Sequence, residues 1–198
     1  MAKPTLAFWY DFASTYSYLS AMRIEEMARN AGVDVAWKPF LLGPIFQSQG
    51  WNNSPFNLYP VKGNYMVRDI ERLAGERGLK FRLPARFPQN SLLAARVGLI
   101  GADEGWLAPF TRAAYLAQFR DGKDISGPET LGPILGELGL DPQAILARTQ
   151  DGEVKERLKR QTADAQALGI FGAPTFVTNK ELFWGDDRLE QALAWAQR

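Results

Sequence analysis

The 198-residue sequence contains no histidine and no cysteine, which leaves serine, lysine, tyrosine, arginine and the two acids as its candidate chemical groups. This composition excludes a Ser-His-Asp triad and a Cys-His dyad, so any thiol used in a reaction must come from another molecule. It also removes the commonest zinc ligand, and no run is typical of a calcium loop or a Walker-type phosphate loop. We therefore predict no metal site.

Ser14 is the first candidate, because Ser14 and Ser17 form a Ser-x-x-Ser motif at the start of a helical pattern. At a helix start, free backbone N–H groups and the helix dipole stabilise a nearby thiolate or other anion. The plain alternative is that Ser14 is an ordinary N-cap. Taken alone, the motif favours the cap.

A second candidate is the sequence Gly172-Ala173-Pro174-Thr175, which stands directly before a predicted strand. Proline has no N–H for a β-ladder, and a cis Ala173–Pro174 bond would explain its position. Opposite a helix start, such a proline would leave the N–H and C=O groups of Ala173 free to pair with an extended peptide.

A third candidate is the segment Phe183–Leu189, with the sequence FWGDDRL, in which Gly185 bends the chain into a final helix. Backbone N–H groups there would hold a carboxylate while Asp187 holds an ammonium group. These are the two charges of a γ-glutamyl group. The alternative is a capped helix with acids in its first turn.

The elements that must position these residues follow from hydrophobic periodicity and from Gly and Pro breakers. Strands are predicted at Thr5–Tyr10, 33–40, Thr175–Thr178 and Glu181–Trp184. Helices are predicted at 14–32, 65–77, 92–100, 106–119, 130–138, 153–168 and 187–197. The breaker-rich segment 41–61 is predicted to be a long ordered loop.

This order predicts an α/β fold with a thioredoxin-like mixed sheet and a large all-helical insertion, and the order alone leaves other α/β folds open. The thioredoxin-like domain would comprise residues 1–61 and 151–198, and the helical insertion would comprise residues 62–150.

The charges are balanced, with 23 Lys and Arg against 22 Asp and Glu. Without a field of one sign, we expect no nucleic-acid partner and no membrane partner. The apolar run near the amino end is too short for a signal sequence or a membrane span, so a cytoplasmic location is expected.

Four segments together resemble the 2-hydroxychromene-2-carboxylate isomerases, a DsbA-like family related to kappa-class glutathione transferases. They are residues 8–19, 55–72, 169–177 and 183–189. Thr15 is a departure, because the family usually carries proline after its catalytic serine.

The resemblance implies glutathione as cofactor, a small aromatic substrate and a homodimer. It implies that Ser14 contacts the glutathione sulfur and that Asn53 and Lys62 lie near the sulfur and the substrate. The residues implied to line the glutathione groove are Ala173, Trp184, Gly185, Asp186 and Asp187. The alternatives for Asn53 and Lys62 are a loop cap and a solvated lysine at a helix start.

The implied activity is glutathione-dependent conversion of 2-hydroxychromene-2-carboxylate to trans-o-hydroxybenzylidenepyruvate in the catabolism of naphthalene-type aromatics. One alternative is a kappa-like glutathione transferase, with the same groove and a different electrophile. Another is a binding module that has kept a thioredoxin-like peptide groove without redox activity. The FWGDDRL segment argues against the module, because a general peptide binder needs no γ-glutamyl clamp.

Overall fold

The computed structural model describes residues 3–198 and consists of a four-stranded sheet surrounded by helices. The strands are β1 Thr5–Tyr10, β2 Asp34–Pro39, β3 Thr175–Thr178 and β4 Glu181–Trp184. The helices are α1 Thr15–Ala21, α2 Ile24–Asn30, α3 Leu42–Ser48, α4 Pro55–Leu58, α5 Pro60–Glu76, α6 Leu92–Glu104, α7 Leu107–Phe119, α8 Pro128–Glu137, α9 Pro142–Arg148, α10 Gly152–Ala167 and α11 Leu189–Ala196. A single 3-10 turn, Asp186–Arg188, precedes α11.

The sheet has the order β2-β1-β3-β4 and is mixed, as predicted. Strand β1 pairs with β2 in parallel and with β3 antiparallel, and β3 pairs antiparallel with β4. Alternate residues of β1 face opposite sides because the side chains of a strand alternate. Leu6, Phe8 and Tyr10 enter the main core, whereas Trp9 packs in a smaller cluster on the other side.

The prediction of a long loop at 41–61 is wrong, because α3 and α4 lie within this segment and α5 begins at Pro60. Its breakers mark helix ends. Pro55 and Pro60 occupy the first turns of α4 and α5, where the missing N–H costs nothing. Gly50, with φ 82°, stands just after α3 in the left-handed region that favours glycine.

The predicted helix at 14–32 is instead two helices, which are interrupted at Met22 and Arg23. Arg23 precedes α2 with non-helical angles and makes no side-chain cap. Hydrophobic periodicity continues through this break, because both helices bury apolar residues in the same core.

Side chains of helix α7 donate hydrogen bonds to the segment that follows β1. Tyr115 Oη donates a 2.8 Å hydrogen bond to the Asp11 carbonyl, and Gln118 Nε2 donates one of 2.9 Å to the Phe12 carbonyl. Tyr10 Oη and Thr111 Oγ1 are also hydrogen-bonded, at 2.7 Å. These buried bonds fix the end of β1 where the Ser14 turn begins.

The division into residues 1–61 with 151–198 and an insertion at 62–150 remains a prediction, and its residues 1 and 2 lie outside the described part. None of the helices among residues 3–198 has the length and apolar character needed to span a membrane.

Candidate active site

Ser14 is the N-cap of α1 and also contacts the segment before β3. Its Oγ accepts a hydrogen bond from the Ser17 N–H at 3.2 Å and donates one to the Ala173 carbonyl at 3.0 Å. The cap alternative is therefore present in the structure. The second bond brings Ser14 and Ala173 together across 159 positions of sequence.

Asp11 holds the Ser14 turn in place from the buried side. Its Oδ1 accepts from the Ala13 N–H at 2.8 Å and its Oδ2 from the Leu42 N–H at 2.7 Å, while its carbonyl accepts from the Ser14 N–H. Burial raises the pKa of the Asp11 carboxyl, and the bonds from Leu42 and Ala13 offset this in part. The sequence interpretation missed Asp11, for which an acid at the end of a buried apolar strand was the available signal.

The peptide bond Ala173–Pro174 is cis, in agreement with the sequence prediction, and Phe87–Pro88 is cis as well. Ala173 is half-buried, and its N–H makes no hydrogen bond to any of residues 3–198. This N–H therefore remains available as a donor beside Ser14.

Two exposed aromatic rings lie next to Ala173. Trp184 is 52% exposed and Phe171 is 45% exposed, with their ring centroids 4.9 Å apart. The Trp184 indole also covers Gly172 so closely that a Cβ built at Gly172 would lie 2.4 Å from Trp184 Nε1. Position 172 must therefore be glycine if the indole is to keep this place.

Gly185 begins the turn that leads into α11. Its N–H donates to the Pro174 carbonyl at 3.0 Å, which ties the turn to the cis proline, and its φ of 110° favours glycine. Asp187 Oδ1 lies only 2.6 Å from where a Cβ of Gly185 would be, so glycine also makes room for this carboxylate. The Asp187 side chain is 73% exposed.

Asp186 is placed differently from Asp187. Its carboxylate is buried against Ser20, Arg23 and Arg77, so this side chain points away from solvent. Within residues 3–198 the backbone N–H groups of Asp186 and Asp187 have no hydrogen-bond acceptor. The predicted contact of Asp186 with a ligand can thus involve its backbone N–H rather than its carboxylate.

Asn53 and Lys62 are both exposed. Asn53 Oδ1 accepts from the Ser54 N–H at 2.7 Å and from Asn57 Nδ2 at 3.1 Å, so its side chain bonds within its own loop. Lys62 lies one helical turn before Met66, whose sulfur accepts the Thr15 hydroxyl at 3.4 Å. Because residues four apart share a helix face, Lys62 lies on the same face of α5 as Met66.

Further contacts between α5 and α1 were not found from sequence. Tyr16 Oη donates to Asp69 Oδ2 at 2.8 Å, and burial together with Asp69 raises the pKa of Tyr16. Near the start of α5, several large apolar side chains are exposed: Leu58, Tyr59, Val61 and Tyr65. Exposed apolar side chains thus occur near the start of α5, which contacts α1, and beside Ala173, where Trp184 and Phe171 lie.

This arrangement brings together several groups that could contact a ligand. Ser14 provides a hydroxyl, Ala173 a free N–H, and the Gly185–Asp187 turn two free N–H groups with an exposed carboxylate. Residues 3–198 contain no cluster of acids that could hold a metal ion.

Comparison with known proteins gives one family along nearly the whole chain. The family described as DSBA-like thioredoxin domain matches residues 5–194. A 2-hydroxychromene-2-carboxylate isomerase from Sphingobium xenophagum is 28% identical over 187 residues, which cover 94% of each chain. Glutathione S-transferase kappa 1 from Homo sapiens is 26% identical over 202 residues, which cover 94% of this chain and 88% of that protein.

The fold agrees with this comparison. A solved structure of a 2-hydroxychromene-2-carboxylate isomerase superimposes with a TM-score of 0.87 at 26% identity, covering 98% of this chain and 95% of that one. The DsbA-like thioredoxin fold and the family resemblance inferred from the sequence are both confirmed.

Proposed function

This chain belongs to the DSBA-like thioredoxin domain family, and from that premise we propose that it is a glutathione-dependent isomerase. The proposed reaction converts 2-hydroxychromene-2-carboxylate to trans-o-hydroxybenzylidenepyruvate in the catabolism of naphthalene-type aromatics. The observation that carries the proposal is the direct contact between Ser14 Oγ and Ala173 O, in a chain that also exposes the Asp187 carboxylate at the Gly185–Asp187 turn.

The donor groups of the site fit glutathione. The free N–H of Ala173 would pair with its peptide backbone, and the N–H groups of Asp186 and Asp187 would bind its γ-glutamyl carboxylate. The exposed carboxylate of Asp187 would pair with the ammonium group. Trp184 and Gly185 would line the groove between these contacts.

When bound, glutathione supplies a thiol that can add reversibly to the unsaturated substrate, so that the double bond rotates as a single bond. Ser14 stabilises the thiolate form through its hydroxyl. A hydroxyl can rotate about its C–O bond, so Ser14 can turn its proton from the Ala173 carbonyl towards the sulfur. The Ala173 carbonyl is then free to accept a bond from the bound peptide.

Lys62 would bind the substrate carboxylate, because it is a cation on the same face of α5 as Met66, which contacts Thr15 next to Ser14. Asn53 would add a hydrogen-bond donor if its amide leaves the contacts in its own loop. The exposed rings of Tyr65 and Phe171 offer apolar surface for the aromatic part of the substrate. We further propose a cytoplasmic homodimer without nucleic-acid or membrane partners.

The defining experiment is a spectrophotometric isomerase assay on 2-hydroxychromene-2-carboxylate with and without glutathione. We expect turnover only when glutathione is present. Turnover that does not change when glutathione is removed would exclude the proposed cofactor. Saturable glutathione binding in a fluorescence titration is expected as well, and its absence at millimolar glutathione would favour the peptide-binding module.

A kappa-like transferase remains the second candidate, because human glutathione S-transferase kappa 1 aligns with 94% of this chain. Such an enzyme would use the same glutathione contacts and would leave the thiol attached to its electrophile. Conjugation of glutathione to an aryl halide, without isomerase activity, would favour this candidate.

Gly172→Ala should weaken glutathione binding by about 10-fold, because the new Cβ would displace the Trp184 indole from its place beside Ala173. Stability should change little, since Trp184 is 52% exposed. A fluorescence titration with a thermal melt measures both effects. Gly75→Ala is the matched control, because nothing lies within 4 Å of its added Cβ. Equal affinities of both variants would show that the indole does not shape the groove.

A further inference from the structure

The Asp186 carboxylate is one of the most enclosed charged groups in the described chain, with a side-chain exposure of 2%. Its Oδ1 accepts from Ser20 Oγ at 2.8 Å and from Arg23 Nη2 at 3.3 Å, and its Oδ2 accepts from Arg77 Nη2 at 2.6 Å. The Asp186 carbonyl also accepts from Arg23 Nη2, at 2.6 Å. Both the side chain and the backbone of this residue are therefore held.

The two arginines depend on Asp186 to different degrees. Arg23 also pairs with Glu190, so it keeps one anionic partner if Asp186 is neutralised. Arg77, with a side chain only 25% exposed, has no other ion pair within residues 3–198. Removing one member of an enclosed ion pair leaves the charge of its partner unpaired. Neutralising Asp186 should therefore displace Arg77 more than Arg23.

These contacts join three parts of the fold at one carboxylate. Ser20 belongs to α1, Arg23 stands at the start of α2, and Arg77 follows the last residue of α5. Helix α5 is further fixed to α1 by the Tyr16–Asp69 hydrogen bond, and it carries Lys62 near its start. Asp186 thus connects the Gly185–Asp187 turn with α1, the start of α2 and the end of α5.

The neighbouring acids Asp186 and Asp187 differ sharply in burial. The inward carboxylate of Asp186 accepts three hydrogen bonds and its carbonyl accepts a fourth, whereas the Asp187 carboxylate is 73% exposed. A turn of three residues has few bonds of its own, so its orientation depends on such anchors. With Asp186 held inward, the Asp187 carboxylate remains at the surface of the turn.

We propose that Asp186 is a positioning residue, which acts through Arg77, Arg23 and Ser20 to orient the Gly185–Asp187 turn for binding a γ-glutamyl carboxylate. The inference rests on the proposed use of glutathione. It assigns to the Asp186 side chain a role different from direct contact with the ligand. The ligand is met by the backbone of the turn and by Asp187.

Asp186→Asn tests the proposal, because asparagine keeps the shape and removes the charge. We expect the variant to bind glutathione about 10-fold more weakly. We expect its affinity for a glutathione analogue without the γ-glutamyl α-carboxylate to stay within about twofold of the wild type. A general disturbance of the fold would instead weaken the binding of both ligands by the same factor. Isothermal titration of both ligands, with a thermal melt of each variant, gives the comparison.

If Asp186→Asn does not fold, Arg77→Gln tests the same proposal. This variant is expected to fold, because Arg77 lies at the end of α5 and is partly exposed. The same selective loss for glutathione is expected, with partial recovery in Arg77→Lys, which keeps the charge. Arg68→Gln is the matched control on the same helix, because its pair with Glu71 lies at the surface.

Two outcomes overturn the inference while the proposed function stands: wild-type glutathione affinity in both Asp186→Asn and Arg77→Gln, or equal weakening of glutathione and the analogue. A wild-type protein that binds no glutathione at all would instead overturn the proposed function, and the inference with it.

Discussion

Ser14→Ala is expected to lower the glutathione-dependent rate by about 10- to 100-fold near neutral pH, because a hydrogen bond to a charged sulfur would be lost. A bond that stabilises the thiolate lowers the pKa of the bound thiol, so its removal raises that pKa. At neutral pH less thiolate is then present. As the pH rises through the new pKa more thiolate forms, and the rate of the variant should partly recover.

The cap function of Ser14 predicts a different result, so the two roles can be separated. Losing an N-cap costs about 1 kcal/mol of unfolding free energy and need not change the rate. Asp141→Ala is the matched control, because Asp141 caps α9 through bonds to the Gln143 and Ala144 N–H groups. Both variants should lose similar stability in denaturant titrations, and only Ser14→Ala should lose activity. If Ser14→Ala keeps the wild-type rate across the pH range, then Ser14 acts only as an N-cap.

Ser14→Cys offers a sharper form of the same prediction. A thiol beside the glutathione sulfur should react with glutathione disulfide, forming a mixed disulfide with the protein and releasing one glutathione thiolate. Because the natural chain has no cysteine, mass spectrometry would report an adduct at this position alone. If no adduct forms, Ser14 does not lie next to the bound sulfur.

The parts of the fold that could be predicted from sequence were those with strong local signals. Strand β1 is a continuous apolar run, and the β3–β4 hairpin turns at Asn179 and Lys180, which have φ values of 48° and 66°. The Ser-x-x-Ser and Gly-Ala-Pro-Thr motifs are each weak alone, but as a pair they predicted that Ser14 and Ala173 lie close together. Their hydrogen bond in the structure agrees with that interpretation.

What could not be predicted depends on contacts between distant segments. The inward turn of Asp186 is decided by Arg23 and Arg77, 163 and 109 positions away, and no local pattern distinguishes Asp186 from Asp187. The short helices in 41–61 were missed because their proline and glycine residues were interpreted as loop residues. In the fold they begin and end helices that pack against α10 and α5.

Asp187→Ala is expected to weaken glutathione binding by about 10-fold and to leave the fold intact, since it would remove the proposed partner of the ligand ammonium group. Its own ion pair with Arg188 is at the surface, with the charged atoms 3.4 Å apart, and so adds little stability. The effect should shrink at high salt, because exposed charge pairs are screened.

Glu181→Ala is a matched control, because Glu181 is an exposed acid at the far end of β4 and makes no ion pair within residues 3–198. Calorimetric titration of both variants at low and high salt separates a specific clamp from a general change in surface charge. If Asp187→Ala and Glu181→Ala bind glutathione equally well at low salt, then Asp187 does not hold the ammonium group.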